Sequence, residues 1–524
     1  MKKLFFLLAL TISLNLSFAQ YAPDWVQPAT DYLKTGAMIA CDTSNNLIVA
    51  GYRPAFAGAA YIYTSKFDET GNLLWEQADA SGVPGKYQKA RWVNTDNHNN
   101  IYVTGYRYSG ISNEYTDTIV VLKYNESGNL LWKKNIGHIF PSALPMRSEM
   151  DSNGNLYIGT VGISPGFQLI KLDSDGNIIF NAANASSANQ SFTSMRLKNS
   201  LIVMTSYAFN GTQVSVAAFD TTGNFIWSKM FQSRGGMDVE IDDDLNCYIL
   251  SRELNQVSGT SGYDIEIFKF NSIGTLLNQY NYDFDGGTEF ATRMTLVNGK
   301  ITIIGASIMP GSAYMDWIIF QTDLDGSKLW DARYDFTTSN DEKPSWVSAK
   351  SNGDVYVSGQ GGPDTIGFNG SVYLRYVTAK YSNGEMQWVD ANPYQGYIGI
   401  ANAIDKNGGL YVLGEYAMTA IHYIDSNTPV SINERNPTLD DSKVNIYPNP
   451  VTTFTTIEYN LSETGNMSIF IYDILGKVVK TIPAKDYYSG TNKIRIDLSE
   501  QYSGIYFCKI NAKENYDIVK IIKN

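Results

Sequence analysis

The residue types that could do chemistry in this chain are few and scattered. Asp173-Ser174-Asp175-Gly176-Asn177 and Asp242-Asp243-Asp244 place carboxylates close together, as fragments of a calcium loop do. Neither is followed by the glutamate that completes such a loop, and plain Asx turns account for both. Cys41, Cys247 and Cys508 are widely separated in apolar, strand-like contexts, so they read as inert core thiols. His98, His138 and His422 have no ligand spacing, which leaves a histidine metal centre or a Ser-His-Asp triad without support. Paired carboxylates could hydrolyse a glycoside, but acidic turns occur throughout the chain. Arg91, Arg147, Arg196 and Arg293 recur at one point of a repeat, where they could ring an anion; ion pairs with the abundant acids are the expected arrangement. Tyr106, Tyr108, Tyr314 and Trp317 fall in longer links, where rings could stack on sugars. No catalytic, cofactor or metal residue is therefore assigned. Loosely held calcium is the one ion an acidic turn could take.

The elements that must position these groups follow from a repeat. Tyr124-Asn-Glu-Ser-Gly128-Asn129-Leu130-Leu131-Trp132 recurs as Phe67 to Trp75 and Phe219 to Trp227, with looser copies ending at Phe180, Leu277, Trp330 and Trp388. The steps from Trp75 are 57, 48, 47, 50, 53 and 58 residues. A step near fifty filled with short strands is the spacing of propeller blades. Each unit reads as four strands. Strand a is a run such as Arg91-Trp92-Val93, and strand b a Tyr-Val-x-Gly phrase such as Tyr102 to Gly105. Strand c is a β-branched run such as Thr118 to Tyr124, and strand d ends in Trp.

The a–b and c–d links are tight turns of the Asp/Asn-x-x-Gly-Asn kind. The b–c and d–a links are longer, for example Arg252 to Gly262, Gln360 to Ser371 and Asp331 to Lys343, and gather at the opposite end of the disc, where binding usually lives. The last unit has strands at Ala401–Asp405, Leu410–Gly414 and Thr419–Ile424 but no Trp strand. Asp24-Trp25-Val26 stands alone near the N-terminus and is expected to supply it, closing the ring and removing its two open edges. The count is then eight blades, or seven if the unit ending at Leu277 is not one.

The ends of the chain carry different signals. Met1-Lys2-Lys3, the apolar run Leu4–Leu16 and Ser17-Phe18-Ala19 read as a signal peptide over 1–19, cut between Ala19 and Gln20. No later segment is apolar for the ~18 residues a membrane helix needs. Residues 20–442 hold 28 basic against 44 acidic residues, a net charge of −16. Such a body disfavours nucleic acid or anionic lipid and suits cations or neutral sugars. The propeller is placed at 20–424 and a polar, proline-bearing linker at 425–442. A sandwich of short alternating strands follows at 443–524, opening on Tyr447-Pro448-Asn449-Pro450. The class is thus all-β.

The Tyr-Val-x-Gly and Lys-Tyr-Asp-x-x-Gly-Asn-x-x-Trp phrases resemble the β-propeller repeat of secreted and surface proteins of bacteria. The Asp-x-x-Gly-x-x-x-Trp phrase is also similar to the Trp-docking motif of quinoprotein dehydrogenases, but the adjacent cysteines that support their cofactor are missing here. The tail resembles the C-terminal sorting domain of the type IX secretion system. The matching residues are Tyr447, Pro448, Asn449 and Pro450; Tyr472, Asp473, Gly476 and Lys477; Gly504 and Tyr506; and Lys520 and Lys523. This resemblance implies handling by the type IX machinery and passage across the outer membrane of a Gram-negative bacterium, then removal of the tail and release or attachment at the cell surface. The expectation is a secreted or surface-displayed binding protein with a glycan or protein ligand on the long-loop end. The alternative is a carbohydrate-active enzyme, a hydrolase or lyase, at that end.

Overall fold

A computed structural model describes residues 23–27, 33–55, 59–80, 87–108, 118–137, 146–161, 166–184, 190–208, 212–233, 235–255, 262–335, 341–366, 372–391, 399–415, 418–424 and 444–524, apart from 462–463, 474–477, 500, 503 and 513–514. The expected signal peptide with Ala19 and Gln20, the linker over 425–442, and His138, Gly476 and Lys477 lie outside the described residues. Backbone contacts divide the chain into one unit over Ala22–Asp425 and a second that holds Ser426–Asn524. No helix occurs among the described residues.

The larger unit is a β-propeller. Its innermost strands a are Thr35–Cys41, Tyr87–Thr95, Arg147–Met150, Gln190–Lys198, Asp238–Ile241, Thr288–Val297, Lys343–Ala349 and Gly399–Ile404, which open blades 1 to 8 in chain order. Each leads an antiparallel four-stranded sheet in the order a-b-c-d; a single parallel pair, Ala60 with Tyr87, links blades 1 and 2. Strand d of blade 8 is the N-terminal Trp25–Gln27, paired antiparallel to Ala420–Tyr423 with Trp25 opposite His422. The unit holding Leu277 is a four-stranded sheet like the rest.

The repeated phrase folds locally for visible reasons. In blade 1, Asp68 Oδ1 accepts the N–H groups of Thr70 and Asn72 at 2.9 Å each, and Oδ2 accepts the Asn72 amide at 3.0 Å. Gly71 supplies the φ of +88° that ends the turn. Strands b and c are sandwiched between neighbouring blades, so they are buried on both faces; Leu156–Val161 and Thr118–Tyr124 are buried at every position. Strands d form the rim and alternate, leaving Leu73, Leu74, Leu130 and Leu131 about half exposed.

Strand d does not end at its aromatic; it continues past it, as in Leu73–Asp79. That aromatic docks on the next blade. Trp75 Nε1 donates to the Glu126 carbonyl of the blade 2 turn at 2.9 Å, and Trp132 Nε1 donates to the Ser174 carbonyl of the blade 3 turn at 3.0 Å. Lys123, the cross-strand partner of Trp132, donates to the same Ser174 carbonyl at 2.9 Å. The ring lies flat where a Cβ on the turn glycine would be: 2.6 Å from Trp75 at Gly128 and 3.0 Å from Trp132 at Gly176. One phrase therefore carries both halves of the joint, a glycine that receives the previous blade and an aromatic that enters the next. Blade 5 departs from this. Leu277 is half exposed, and the ring against Gly326 belongs to Tyr280.

The segment Gln360–Ser371, expected as an irregular loop, instead begins as paired strand: Asp354–Ile366 and Val372–Ser382 form one long hairpin with a break between Gly361 and Thr365. The second unit is a sandwich of a three-stranded sheet and a four-stranded sheet packed on Ile457, Ile469, Ile471, Ile496, Ile510 and Ile521.

Candidate functional site: the central channel

Strands a line the channel, and six of them carry the same irregularity. Their register slips by one residue opposite a strand-b position, as at Ala90/Trp92 in blade 2 and Pro344/Trp346 in blade 7. In blades 2 and 7 the strand-b residue is a glycine at Gly105 or Gly359, where a Cβ would meet a strand-a carbonyl at 2.2 Å or 2.3 Å. A bulge re-aims the side chains beside it. Here the extra residues Ala37, Arg91, Thr193 and Ile400 all line one cavity of about 200 Å³.

Two tryptophans and three arginines dominate that cavity. Trp92 and Trp346 come from blades 2 and 7, which are not neighbours, and their rings meet with centroids 6.0 Å apart. The Arg147 guanidinium lies 4.4 Å from the Trp92 ring, and that of Arg293 lies 4.0 Å from the Trp346 ring. Arg91 donates to the Tyr106 hydroxyl at 3.2 Å. Among the described residues no carboxylate lines the cavity.

The acids stand behind it. Arg147 Nε donates to Glu149 Oε1 at 3.0 Å, and its Nη1 donates to Ser194 Oγ at 3.1 Å. Ser194 Oγ in turn donates to Asp238 Oδ1 at 2.6 Å. Arg196 Nη2 donates to Glu240 Oε1 at 2.7 Å and its Nη1 reaches Glu149 at 3.5 Å. Burial works against the Arg196 charge, but Glu240 and Asp238 hold its guanidinium above the ordinary value. Burial pushes the Glu149 carboxyl up to about 8, with Glu240 and Asp238 adding to the effect. The guanidinium groups against its Oε1 act the other way.

Arg147 and Arg196 thus form the expected ion pairs. Arg293 does not: among the described residues it makes no hydrogen bond or ion pair, only the stack on Trp346. Burial and then Arg196 pull its guanidinium below the ordinary value, with Asp238 opposing. The sequence singled out the four arginines and the structure brings them into one channel. Trp92, Trp346, Glu149, Asp238 and Glu240 were not singled out; their position on the same strands a was the available signal.

The other sequence candidates lie away from the channel cavity. Tyr106 and Trp317 are buried, Trp317 with its Nε1 donating to the Gln360 carbonyl at 3.0 Å, so neither can stack on a ligand. Each lies inside a strand that runs further than its sequence suggested. Tyr314 is exposed, and the side chain of Tyr108 lies outside the described set. Asp173 accepts from the Asn177 amide and from backbone N–H groups, and Asp242 does the same with Asn246. The cysteines are free, with burial pushing the Cys247 and Cys508 thiols up to about 12. His422 sits between Asp24 and Asp405, remote in sequence from His98.

In the second unit, the tail residues converge. Asn449 donates to the Lys520 carbonyl at 2.8 Å and accepts the Ile522 N–H at 2.8 Å, so the Tyr-Pro-Asn-Pro phrase is sewn to the basic last strand. Tyr447 donates to Glu458 at 2.9 Å, and Tyr506 donates to the Tyr502 carbonyl at 2.8 Å. Asp473 is paired with Tyr506 and Gly504 with Lys523. Tyr472 is half-buried on the same sheet.

Residues 445–524 match the family described as the secretion system C-terminal sorting domain. No curated protein matches the chain. Among solved structures, the chain is similar to the Dos1 propeller, with 10% identity, a TM-score of 0.45, and coverage of 76% of this chain and 96% of that one. It is also similar to a catalytically inactive virginiamycin B lyase from Staphylococcus aureus, with 10% identity, a TM-score of 0.38 and coverage of 64% and 94%. The WD40 propeller domain of Doa1 gives 10% identity, a TM-score of 0.38 and coverage of 77% and 96%. A chain with this sorting domain is exported to the cell surface or secreted by bacteria of the Bacteroidetes type.

Proposed function

We propose that this exported propeller is a binding protein that takes a small organic anion into its central channel. The observation that carries the reading is Arg293, a guanidinium without an acidic partner among the described residues, stacked on Trp346 beside a cavity of about 200 Å³. Arg91 and Arg147 add positive charge to the same wall, and Trp92 and Trp346 supply flat apolar surface. The volume is below the ~300–1,000 Å³ typical of pockets for drug-sized ligands, and suits a body the size of one acidic sugar. A signal peptide cut between Ala19 and Gln20 and the type IX machinery would deliver the protein, the tail being the part that the machinery reads. The alternative of a glycoside hydrolase or lyase draws less support. Its two carboxylates would have to face substrate, whereas Glu149 and Glu240 are engaged by arginines.

The test is calorimetric titration of the purified chain with glucuronate and with glucose. Glucuronate should bind and glucose should not, and Arg293→Gln should weaken glucuronate at least about tenfold, the loss of one charge-assisted contact. Equal binding of the two sugars, or an unchanged affinity in the variant, overturns the reading.

A further inference from the structure

Away from the channel, three carboxylates meet at the seam between blades 5 and 6. Asp264 stands near the start of strand c of blade 5, Gly262–Phe270. Asp283 follows the last strand of that blade, and Glu289 is the second residue of Thr288–Val297 in blade 6. All three lie at the end of the propeller that carries the b–c and d–a links. One carboxylate oxygen from each lies within 4.8 Å of the other two. Asp283 is exposed, Asp264 half-buried and Glu289 fully buried, so the cluster runs from solvent into the protein.

Acidic clusters on a surface are common, and proximity alone assigns nothing. Glu289 is different because it is 0% exposed and only partly satisfied. Its Oε1 accepts from Ser307 Oγ at 2.8 Å, while its Oε2 has no hydrogen-bond partner among the described residues. A buried carboxylate oxygen is costly to leave unpaired. Burial, with Asp283 and Asp264 adding to it, pushes the Glu289 carboxyl up to about 7. Arg333 opposes this rise; its Nη2 lies 3.6 Å from Asp285 and 3.5 Å from the Phe284 carbonyl, and its Nη1 is buried without a hydrogen-bond partner among the described residues.

We infer that Asp264, Asp283 and Glu289 form a binding site for one divalent cation, calcium by the chemistry of its donors, which clamps blade 5 to blade 6. The donor set is oxygen only, without histidine or cysteine, and is filled by a hard cation rather than zinc or copper. The chain around it is already close. Gly287 has no room for a side chain, since a Cβ there would lie 2.7 Å from Glu289 Oε1, and Asp283 Oδ1 accepts the Gly286 N–H at 2.8 Å. Full burial of Glu289 also separates this site from a hydrolytic pair, because a sugar chain could not reach it.

The experiment uses the full chain, stripped with a chelator and dialysed. Melting is followed with and without 2 mM calcium chloride, with magnesium chloride at the same concentration as the comparison, and calorimetry gives the stoichiometry. One calcium per chain should bind with an affinity in the ~10⁻⁴–10⁻³ M range of extracellular modules. Tm should rise by about 1–3 °C, as linkage at a few times Kd gives for a domain this large. Asp264→Asn and Asp283→Asn, neither at a fully buried position, should abolish the shift while leaving a cooperative transition. A wild-type chain that binds no calcium, or variants that keep the full shift, overturn the proposal. Glucuronate binding in the channel is read separately, so the two proposals fail independently.

Discussion

The ring of Trp25 lies against Gly71: a Cβ on that glycine would sit 2.7 Å from Trp25 Cδ2, and Trp25 Nε1 donates to the Glu69 carbonyl at 3.0 Å. Trp25 belongs to blade 8 and Gly71 to blade 1, so this joint closes the ring in the way that Trp75 joins blade 1 to blade 2 and Trp132 joins blade 2 to blade 3.

Gly71→Ala should therefore destabilise the protein by more than Gly154→Ala. Both glycines have positive φ, +88° and +79°, but nothing lies within 4 Å of a Cβ at Gly154. The strain common to both costs about 1 kcal/mol. Any excess at Gly71 measures the displaced ring. Trp25→Ala should cost about 2–3 kcal/mol, less than the ~3–5 of a fully buried ring because Trp25 is only half-buried. Denaturant titration of the three variants checks this, and equal costs for the two glycines would count against docking.

The same seam should be sensitive to pH. His422 stacks on Tyr411 with ring centroids 4.4 Å apart, and its nitrogens face Asp405 at 2.8 Å and Asp24 at 3.4 Å. Burial opposes the imidazolium, but those two carboxylates hold its pKa above the ordinary 6.5. A raised folded pKa stabilises below the unfolded value and loses that contribution as pH rises through the folded one. Asp405, held low by the His422 hydrogen bond against the effect of burial, stays charged across this window. Tm should fall as pH rises above 6.5, and His422→Gln should flatten that part of the profile.

Anion affinity in the channel should also fall with pH. Burial, with Glu240 and Asp238 adding to it, raises the Glu149 carboxyl, so it gains its full charge at a higher pH than an ordinary carboxylate. The added negative charge lies behind Arg147, so glucuronate should bind several-fold more weakly at pH 9 than at pH 7, a change worth about 1 kcal/mol. Glu149→Gln should remove the difference; a pH-independent affinity in the wild type would argue that this carboxyl is ionised throughout.

For the tail, a chain of residues 20–424 should be soluble and melt cooperatively, because the propeller packs its own core. Insolubility of that chain would make the tail structural. Asn449→Ala should leave the Ile522 N–H without its acceptor and cost about 1–2 kcal/mol in the second unit. Export assays in a host with the type IX machinery should then show retention of the variant inside the cell.

The propeller was legible because its turns announce themselves: aspartate, glycine and asparagine at fixed offsets, then an aromatic. The pattern blurred at blade 5 because a strand presents alternate residues to one face, so Tyr280 can replace the aromatic that is missing at Asn278. Tyr106 and Trp317 were misread for a related reason. Composition does not mark where a strand stops, and both are covered by neighbouring sheets. The arginines could be placed on strands a, but which of them is paired depends on acids that come from the same strand, as Glu149 does for Arg147, or from the next blade about 45 residues away, as Glu240 does for Arg196. The Asp264, Asp283 and Glu289 cluster gathers from three elements of two blades, a proximity that linear spacing does not encode.

The strand at Trp25–Gln27 is the first part of the propeller to be synthesised, and it cannot pair until the last part has been made. Its partner, Ala420–Tyr423, emerges nearly four hundred residues later. Seven blades can assemble behind it in order, each on its predecessor, and the cost of the final closure is small once they have, since loop entropy grows only with the logarithm of the free length. A chain interrupted before Tyr423 keeps two bare edges, whereas a finished one has none. Closure is thus a test of completeness that the molecule applies to itself, and only a chain that has already passed residue 423 goes on to acquire the tail that marks it for export.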